Sequence, residues 1–259
     1  MKIAFIGTGN MGGACAQAVR QALPQAELLL ANRTPEKAKA LAEQLGGTVT
    51  DNRTAAETAD FLFLGVKPQM LETLAGEIGA ITARREKLIL VSMAAGVTVE
   101  RLNVLFGGRL PNLPMTVSRG MTLWCASDAV TEVERQIFCS MMEKSGDLSM
   151  VPERLIDAGS AVAGCGPAFV CLFLEAMADG GVLCGLTRAQ ATEYAVQTLL
   201  GTAELLRENG THPGAVKDAV CSPGGSTIAG VYALETGAFR ADVMNAVRAA
   251  FEKTRQLGK

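Results

Sequence analysis

The sequence has only one histidine in 259 residues, His212 in "NGTHPG". A lone histidine in a turn is usually a surface residue, and no Ser-His-Asp set, Cys-His pair or carboxylate pair can be assembled around it. The seven cysteines are odd in number, scattered, and include no C-x-x-C pair. These absences argue against disulfides and against a metal site, and they favour free thiols in a reducing cytoplasm.

Long runs of one kind of residue are also missing. The 24 basic and 26 acidic residues nearly cancel and form no basic stripe, so a nucleic-acid partner is not expected. The longest apolar stretches are broken by Gly, Glu or Asp well short of the length of a membrane span, and the N-terminus "MKIAFIGTGN" has no long h-region or cleavage site. We therefore expect a cytoplasmic protein without a membrane partner, which acts on a small molecule.

Residues 1–150 alternate between short apolar runs and helical patterns. Buried strands are predicted at "KIAFIG", "AELLLAN", "ADFLFLGV" and "KLILVSM", with amphipathic helices between them. This alternation of strands and helices predicts an α/β fold in which a doubly wound, Rossmann-type parallel sheet is covered by helices on both faces.

Residues 151–259 are predicted to form an all-helical second domain. Thr187 and Gln190 have capping-box spacing at the start of one helix, and Gly210 is placed to end it. Another helix begins near Pro167 and is apolar on nearly every face, which predicts deep burial. Because about 100 residues are too few to surround such a helix, we expect a partner chain to cover it in a homodimer.

The loop "GTGNMG" follows the first strand directly and opens the first helix. In this strand–turn–helix context, a G-x-G-x-x-G pattern predicts a dinucleotide site. Gly7 permits the tight turn, Gly9 admits the pyrophosphate, and Gly12 lets helix and strand pack closely. The predicted cofactor-binding residues of this loop are Gly7, Thr8, Gly9, Asn10, Met11 and Gly12.

The end of the second strand predicts which dinucleotide is bound. An NAD-selective site usually has Asp or Glu there, but this chain has Asn32, Arg33 and Thr34. A guanidinium can bind a 2′-phosphate through two hydrogen bonds, so NADPH is the predicted cofactor and NADH a weaker one. The alternative is that Arg33 is only a solvated charge.

Two further strand ends are predicted to border the nicotinamide. They are Val66, Lys67 and Pro68 at the end of the predicted strand "ADFLFLGV", and Ala94, Ala95 and Gly96 after "KLILVSM". Small residues there leave room for the ring, and a lysine at a crevice can meet an anion. Ordinary strand-end packing is the alternative for both groups.

The uncharged stretch "CSPGGSTIAG", residues 221–230, stands before a helical pattern. Free N–H groups at a helix N-terminus attract anions, and glycine lets a ligand approach the backbone. A glycine turn capped by Ser222 or Ser226 is the alternative. Hydride transfer to a carboxylated imine would suit this loop, because an imine carbon accepts hydride without a strong protein acid.

The chain resembles the pyrroline-5-carboxylate reductase family along nearly its whole length. The matching segments are "FIGTGNMG", "LGVKPQ", "AGCGPAFVCLFLEAMADGGVLCGLTRAQA" and "SPGGSTIAGVYALETGAFR". "RLPNLPMTVSRG" is similar to a further family segment, with Leu110 and Leu113 as departures. The first motif occurs in many dehydrogenases, whereas the others are specific to this family.

The resemblance implies reduction of 1-pyrroline-5-carboxylate to L-proline by NADPH or NADH and an interlocked dimer. It implies that backbone N–H groups of the glycine loop bind the substrate carboxylate and that Thr227 is the catalytic hydroxyl near the ring nitrogen. The substrate-binding positions are Ser222, Gly224, Gly225, Ser226 and Thr227. Asn52 in "TDNRTAAE" matches an asparagine that contacts the adenosine side, and Ala219 replaces a polar residue of some relatives.

Two other functions remain as alternatives. A β-hydroxyacid dehydrogenase would also join a Rossmann-type domain to a helical one, but its chemistry needs a lysine on the first long helix of the second half. That helix, "PAFVCLFLEAMADGG", contains Glu175 and Asp179 and no lysine. The second alternative is an NADP-sensing module, which would bind the nucleotide without turning over an imino acid.

The first test concerns Arg33. An Arg33→Ala variant should weaken NADPH binding by about 1–3 kcal/mol, because a charged hydrogen bond to the 2′-phosphate is lost. Fluorescence titration with NADPH and NADH measures the effect, and NADH binding should hardly change. Equal losses for both nucleotides would mean that Arg33 does not contact the 2′-phosphate.

Overall fold

The computed structural model describes residues 1–107, 112–118 and 120–257, and within 112–118 it describes the side chain of Met115 only. The chain divides into two compact units. The first contains residues 1–164 together with the chain from Ala250 onward, and the second is Cys165–Ala249. The domain boundary after residue 150 stays a prediction.

The first unit contains a mixed sheet with the predicted parallel core. Its strands are β1 Lys2–Ile6, β2 Glu27–Ala31, β3 Thr48–Val49, β4 Phe61–Leu64, β5 Ile89–Ser92, β6 Asn112–Ser118, β7 Gly120–Trp124 and β8 Gly146–Met150. Within the described residues the strand order is β3-β2-β1-β4-β5-β6-β7-β8. Strands β1 to β6 are parallel, β7 is antiparallel to β6, and β8 is parallel to β7. The order of the first six strands is that of a dinucleotide-binding sheet.

Helices cover both faces of this sheet, as predicted. They are α1 Asn10–Ala22, α2 Pro35–Leu45, α3 Asn52–Thr58, α4 Leu71–Thr82, α5 Val99–Phe106 and α6 Glu132–Met142. Side chains alternate along each strand, so Ile3 and Phe5 of β1 pack with α1, α2 and α6, whereas Ala4 and Ile6 pack with α3, α4 and α5. The Phe5 and Phe63 rings stack with centroids 4.5 Å apart between neighbouring strands.

The chain then runs through a long helical stretch, Glu153–Leu183. It comprises a 3-10 turn at Glu153–Leu155, α7 Ile156–Gly159, a π-helical turn at Ser160–Gly164, and α8 Gly166–Leu183. By length and composition alone it could cross a membrane. The expectation that no apolar stretch reaches that length was therefore wrong, because the Gly, Glu and Asp residues that interrupt it do not end the helical backbone.

The second unit is helical, as predicted. After α8 it contains α9 Arg188–Asn209, α10 Pro213–Ala219, α11 Ser226–Thr236 and the start of α12 Phe239–Leu257. Thr187 and Gln190 form the predicted capping box of α9, and Gly210 ends that helix in the left-handed conformation at φ 59°. Pro167 lies in the first turn of α8. The local start and stop signals were therefore sufficient to place these helices.

The predicted deep burial of α8 is not found within one chain. Among the residues of α8, Ala178 is buried, whereas Leu172 is 66% and Leu183 is 89% exposed. Elsewhere in the described second unit only Ala191 and Ala195 are buried. This exposure in a single chain agrees with the expectation that about 100 residues are too few to surround α8, and its burial by a partner chain stays a prediction.

Candidate active site

The loop between β1 and α1 is fixed by a close approach of three glycines. Gly7 has φ +94°, and a Cβ on it would lie 2.6 Å from the Gly65 carbonyl oxygen. A Cβ on Gly12 or on Gly65 would overlap the Gly7 carbonyl oxygen. The roles predicted for Gly7 and Gly12 agree with this geometry, whereas sequence reasoning overlooked Gly65, although it stands in the quoted motif "LGVKPQ".

The same loop is open where a pyrophosphate would lie. Gly9 precedes α1, no side chain caps the helix there, and a Cβ on Gly9 would have no atom within 4 Å. Asn10 and Met11 in the first turn are exposed. The Thr8 hydroxyl oxygen is buried without a hydrogen-bond partner in the described part of the chain. A free helix N-terminus, an open glycine and an unpaired hydroxyl fit a dinucleotide phosphate.

The loop after β2 lies at the same edge of the sheet. The Asn32 side chain accepts a hydrogen bond from the Thr8 N–H at 3.1 Å and donates one to the Thr34 carbonyl at 3.0 Å. Arg33 between them is exposed, and Thr34 precedes the first turn of α2. An exposed guanidinium beside a dinucleotide loop is suitably placed for a 2′-phosphate.

The other predicted cofactor residues also follow parallel strands of this sheet. Val66, Lys67 and Pro68 come after β4, and Ala94, Ala95 and Gly96 come after β5. Lys67 is exposed, and Gly96 has φ +75°, a conformation that favours glycine. Because the carboxyl ends of parallel strands meet at one edge, the sheet brings these residues to the edge that carries Gly7 and Asn32.

Asn52 begins α3, which follows β3 at the same edge. Asp51 caps this helix by accepting a hydrogen bond from the Thr54 N–H at 2.7 Å, which lowers the pKa of the Asp51 carboxyl. The Asn52 side chain donates to Glu77 at 2.8 Å. Because a carboxylate only accepts, the Asn52 amide oxygen is left to accept from a ligand hydroxyl or amine. Sequence reasoning missed Glu77, which lies on another helix and has no local signal.

In the second unit, residues 222–225 form a tight turn. The Gly225 N–H donates to the Ser222 carbonyl at 3.0 Å, and Gly224 has φ +68°. With Pro223 before it, this is the arrangement of a type II turn, which needs glycine at its third position. A Cβ on Gly225 would overlap the Ser222 hydroxyl oxygen. The turn itself therefore requires glycine at position 224, whereas Gly225 packs closely against Ser222.

Helix α11 begins directly after this turn without a side-chain cap. Gly225 is the capping residue and makes no side-chain hydrogen bond, so Ser222 and Ser226 do not cap the helix as the alternative required. Thr227 lies inside the first turn, and its exposed side chain has no hydrogen-bond partner among the described residues. The first N–H groups of a helix lack intrahelical partners, so those of Ser226, Thr227 and Ile228 face outward. The Gly225 N–H was expected to bind the substrate carboxylate. The structure corrects this expectation, because this N–H already donates to the Ser222 carbonyl within the turn.

Two buried thiols of the first unit, and Lys217 near the turn at residues 222–225, do not supply acid–base groups. Burial raises the pKa of Cys15 to about 12, and burial together with Glu153 raises the pKa of Cys125 to about 12. A hydrogen bond to Asp218 raises the pKa of Lys217, which keeps it protonated. His212 caps α10 by accepting from the Gly214 N–H at 3.0 Å. Within the described residues no group of three metal-ligating side chains is found.

The segment "RLPNLPMTVSRG" lies only partly within the described residues, where 112–118 form β6. Leu110 lies outside the described residues, and the side chain of Leu113 is not among those that are described.

The sheet order, the open glycine loop and the exposed arginine after β2 define a dinucleotide-dependent oxidoreductase. Residues 2–96 match a family model described as NADP oxidoreductase, coenzyme F420-dependent. Residues 153–257 match the model of the pyrroline-5-carboxylate reductase dimerisation domain, which supports self-association of the chain.

Known proteins extend the match to the whole chain. The pyrroline-5-carboxylate reductase of Escherichia coli is 38% identical over 268 residues, covering 100% of this chain and 98% of that protein. That of Synechocystis is 42% identical over 214 residues, covering 81% and 79%. The Plasmodium falciparum pyrroline carboxylate reductase, crystallised with NADP bound, superposes with a TM-score of 0.89 at 26% identity, covering 100% and 98%. The chain belongs to the pyrroline-5-carboxylate reductase family.

The glycine loop after β1 offers a matched pair of variants. Gly12→Ala should lower the free energy of unfolding by at least about 3 kcal/mol, because its Cβ would overlap the Gly7 carbonyl oxygen. Gly9→Ala should leave stability nearly unchanged, since no atom lies near, but it should weaken NADPH binding by obstructing the pyrophosphate. Urea unfolding and nucleotide titration measure both effects. Equal stability of the two variants would contradict the assigned packing.

Proposed function

We propose that this protein reduces 1-pyrroline-5-carboxylate to L-proline, the last step of proline biosynthesis, with NADPH preferred and NADH as the weaker donor. The observation that carries the proposal is the uncharged turn at residues 222–225, which leads into an uncapped helix. That arrangement is suited to a small carboxylate, and it occurs in a chain of this family that also has an open dinucleotide loop.

The backbone at the start of α11 binds the substrate carboxylate in this proposal. Outward N–H groups of Ser226, Thr227 and Ile228 donate to its oxygens, and the helix dipole adds favourable potential. Ser222 and Gly224 shape the turn, and Gly225 leaves the space that the Ser222 hydroxyl fills. A cationic side chain would also bind a carboxylate, but it would occupy room that a five-membered ring needs.

The reaction needs little from the protein beyond positioning. When bound, NADPH would supply a hydride to the imine carbon and become NADP⁺, while the C=N π electrons would move to the ring nitrogen, which carries a proton from solvent. Thr227 holds the ring nitrogen through its hydroxyl. Arg33, Asn52 and the loop at 7–12 hold the nucleotide, so the chain lowers the barrier by orientation more than by acid–base catalysis.

A direct assay distinguishes this function from its alternatives. The purified protein should oxidise NADPH when pyrroline-5-carboxylate is added, and more slowly with NADH. A β-hydroxyacid dehydrogenase would instead respond to a hydroxy acid, and an NADP sensor would bind the nucleotide without turnover. Product analysis for proline excludes futile oxidation of the cofactor.

The proposal includes a homodimer in the cytoplasm, without nucleic-acid or membrane partners. All seven cysteines are free, as suits a reducing compartment. The match of residues 153–257 to a dimerisation domain favours a second copy of the chain, rather than lipid, as the cover for the exposed apolar residues of the second unit.

The dimer has its own test. Light scattering combined with activity measurement at low micromolar concentration should show no active monomer, because a separate monomer would expose the apolar side chains of α8. Flotation with phospholipid vesicles provides the control. An active monomer, or protein recovered with the vesicles, would contradict the proposed assembly.

The role of Thr227 is tested by Thr227→Val, which keeps the shape of the side chain and removes the hydroxyl. The value of kcat/KM should fall by about 10–100-fold, because the hydrogen bond to the ring nitrogen is lost. The affinity for NADPH should stay within a factor of about three, since the Rossmann-type unit supplies the residues assigned to the nucleotide.

A melting curve of the same variant provides the control. The Thr227 hydroxyl caps nothing in α11, so the melting temperature should hardly move. Unchanged turnover, with or without a lower melting temperature, would remove Thr227 from the mechanism.

A further inference from the structure

Asn32 is half-buried at the end of β2, and both ends of its side-chain amide are bonded within the protein. The amide oxygen lies 3.1 Å from the Thr8 nitrogen, and the amide nitrogen lies 3.0 Å from the Thr34 carbonyl oxygen. A backbone N–H only donates and a carbonyl only accepts, so these two partners fix which way the amide points. Asn32 thus ties the loop after β1 to the loop after β2.

The two loops differ in how much other support they have. The loop after β1 is held by the Gly7 N–H, which donates to the Ala31 carbonyl at 2.8 Å, and by the glycine contacts. Thr34 has less support, because its carbonyl otherwise accepts only from the Lys37 N–H at 3.1 Å in the described structure. Loss of the Asn32 tie should therefore disturb the second loop more than the first.

Arg33 stands between the two residues that the tie connects and has an exposed side chain. The position of the Arg33 backbone is set by its two neighbours, Asn32 and Thr34, which the hydrogen bond joins. A carboxylate at position 32 could still accept from the Thr8 N–H, but it has no proton for the Thr34 carbonyl. The protein's own hydrogen bonds therefore require an amide at this position, apart from any contact with a nucleotide.

We infer that Asn32 is a positioning residue for 2′-phosphate selectivity. It acts through Arg33, by holding the segment that presents the guanidinium, and not as a phosphate ligand itself. The inference rests on the proposed use of NADPH and explains how that site distinguishes the phosphorylated ribose.

The test is a double-mutant cycle read out as ligand binding without turnover. Calorimetry measures the Kd of 2′,5′-ADP and of 5′-AMP for the wild type, Asn32→Ala, Arg33→Ala and the double variant. Asn32→Ala should raise the Kd of 2′,5′-ADP about tenfold and that of 5′-AMP less than about threefold. In the Arg33→Ala background, Asn32→Ala should change the Kd of 2′,5′-ADP less than about threefold, because coupled residues are not additive.

Additive losses in the cycle would overturn the inference, since they would mean that Asn32 contacts the phosphate independently. Equal losses for both ligands, or no loss, would overturn it as well. Gln44→Ala, which removes an exposed amide near the end of α2, is the matched control and should leave both Kd values unchanged. Melting curves check folding, and Asn32→Ser replaces Asn32→Ala if the alanine variant does not fold.

The wild type separates this inference from the proposed function. If it binds 2′,5′-ADP no more tightly than 5′-AMP, the proposed NADPH preference is wrong and the inference fails with it. If it prefers 2′,5′-ADP and the Asn32 variants keep that preference, the proposed function stands and only the inference is wrong.

Discussion

The close approach of Gly7, Gly12 and Gly65 is the constraint on which the cofactor half of the molecule depends. The Gly7 carbonyl leaves no room for a side chain at Gly12 or Gly65, so α1, β1 and the end of β4 meet at backbone distance. This contact places the start of α1 beside the carboxyl edge of the sheet. Gly9 is then free to face a ligand, because the turn is already fixed by its neighbours.

The second unit presents backbone at a helix start in a similar way, but with a different turn. Gly224 takes a positive φ and Gly225 fits against Ser222, so the chain enters α11 without a capping side chain. In both units a helix begins without a side-chain cap, so its first main-chain N–H groups are free to donate to a ligand. Main-chain N–H groups do not titrate at physiological pH, and no side chain has to be ordered to present them. These properties suit an enzyme whose substrate already accepts hydride readily.

Local signals in the sequence predicted most of the helices and the parallel core. The capping box of Thr187 and Gln190 and the glycine at 210 are contained in a few consecutive residues, so they can be recognised without the fold. Strands β3 and β6 to β8, the Gly65 contact and the Asn32 tie were not predicted. The glycine contact and the Asn32 tie depend on residues brought together from distant parts of the chain: Gly7 with Gly65, and Thr8 with Asn32.

The exposure of α8 in a single chain follows from the small size of the second domain. The sequence predicted an apolar helix correctly, but burial also depends on how much surface is available to cover that helix. Within one chain Leu172 and Leu183 remain exposed, so the apolar pattern reflects an environment that a single copy does not provide. The pattern of apolar residues along a helix reflects the surroundings in which the helix functions. For a helix in a dimerisation domain, those surroundings include another molecule.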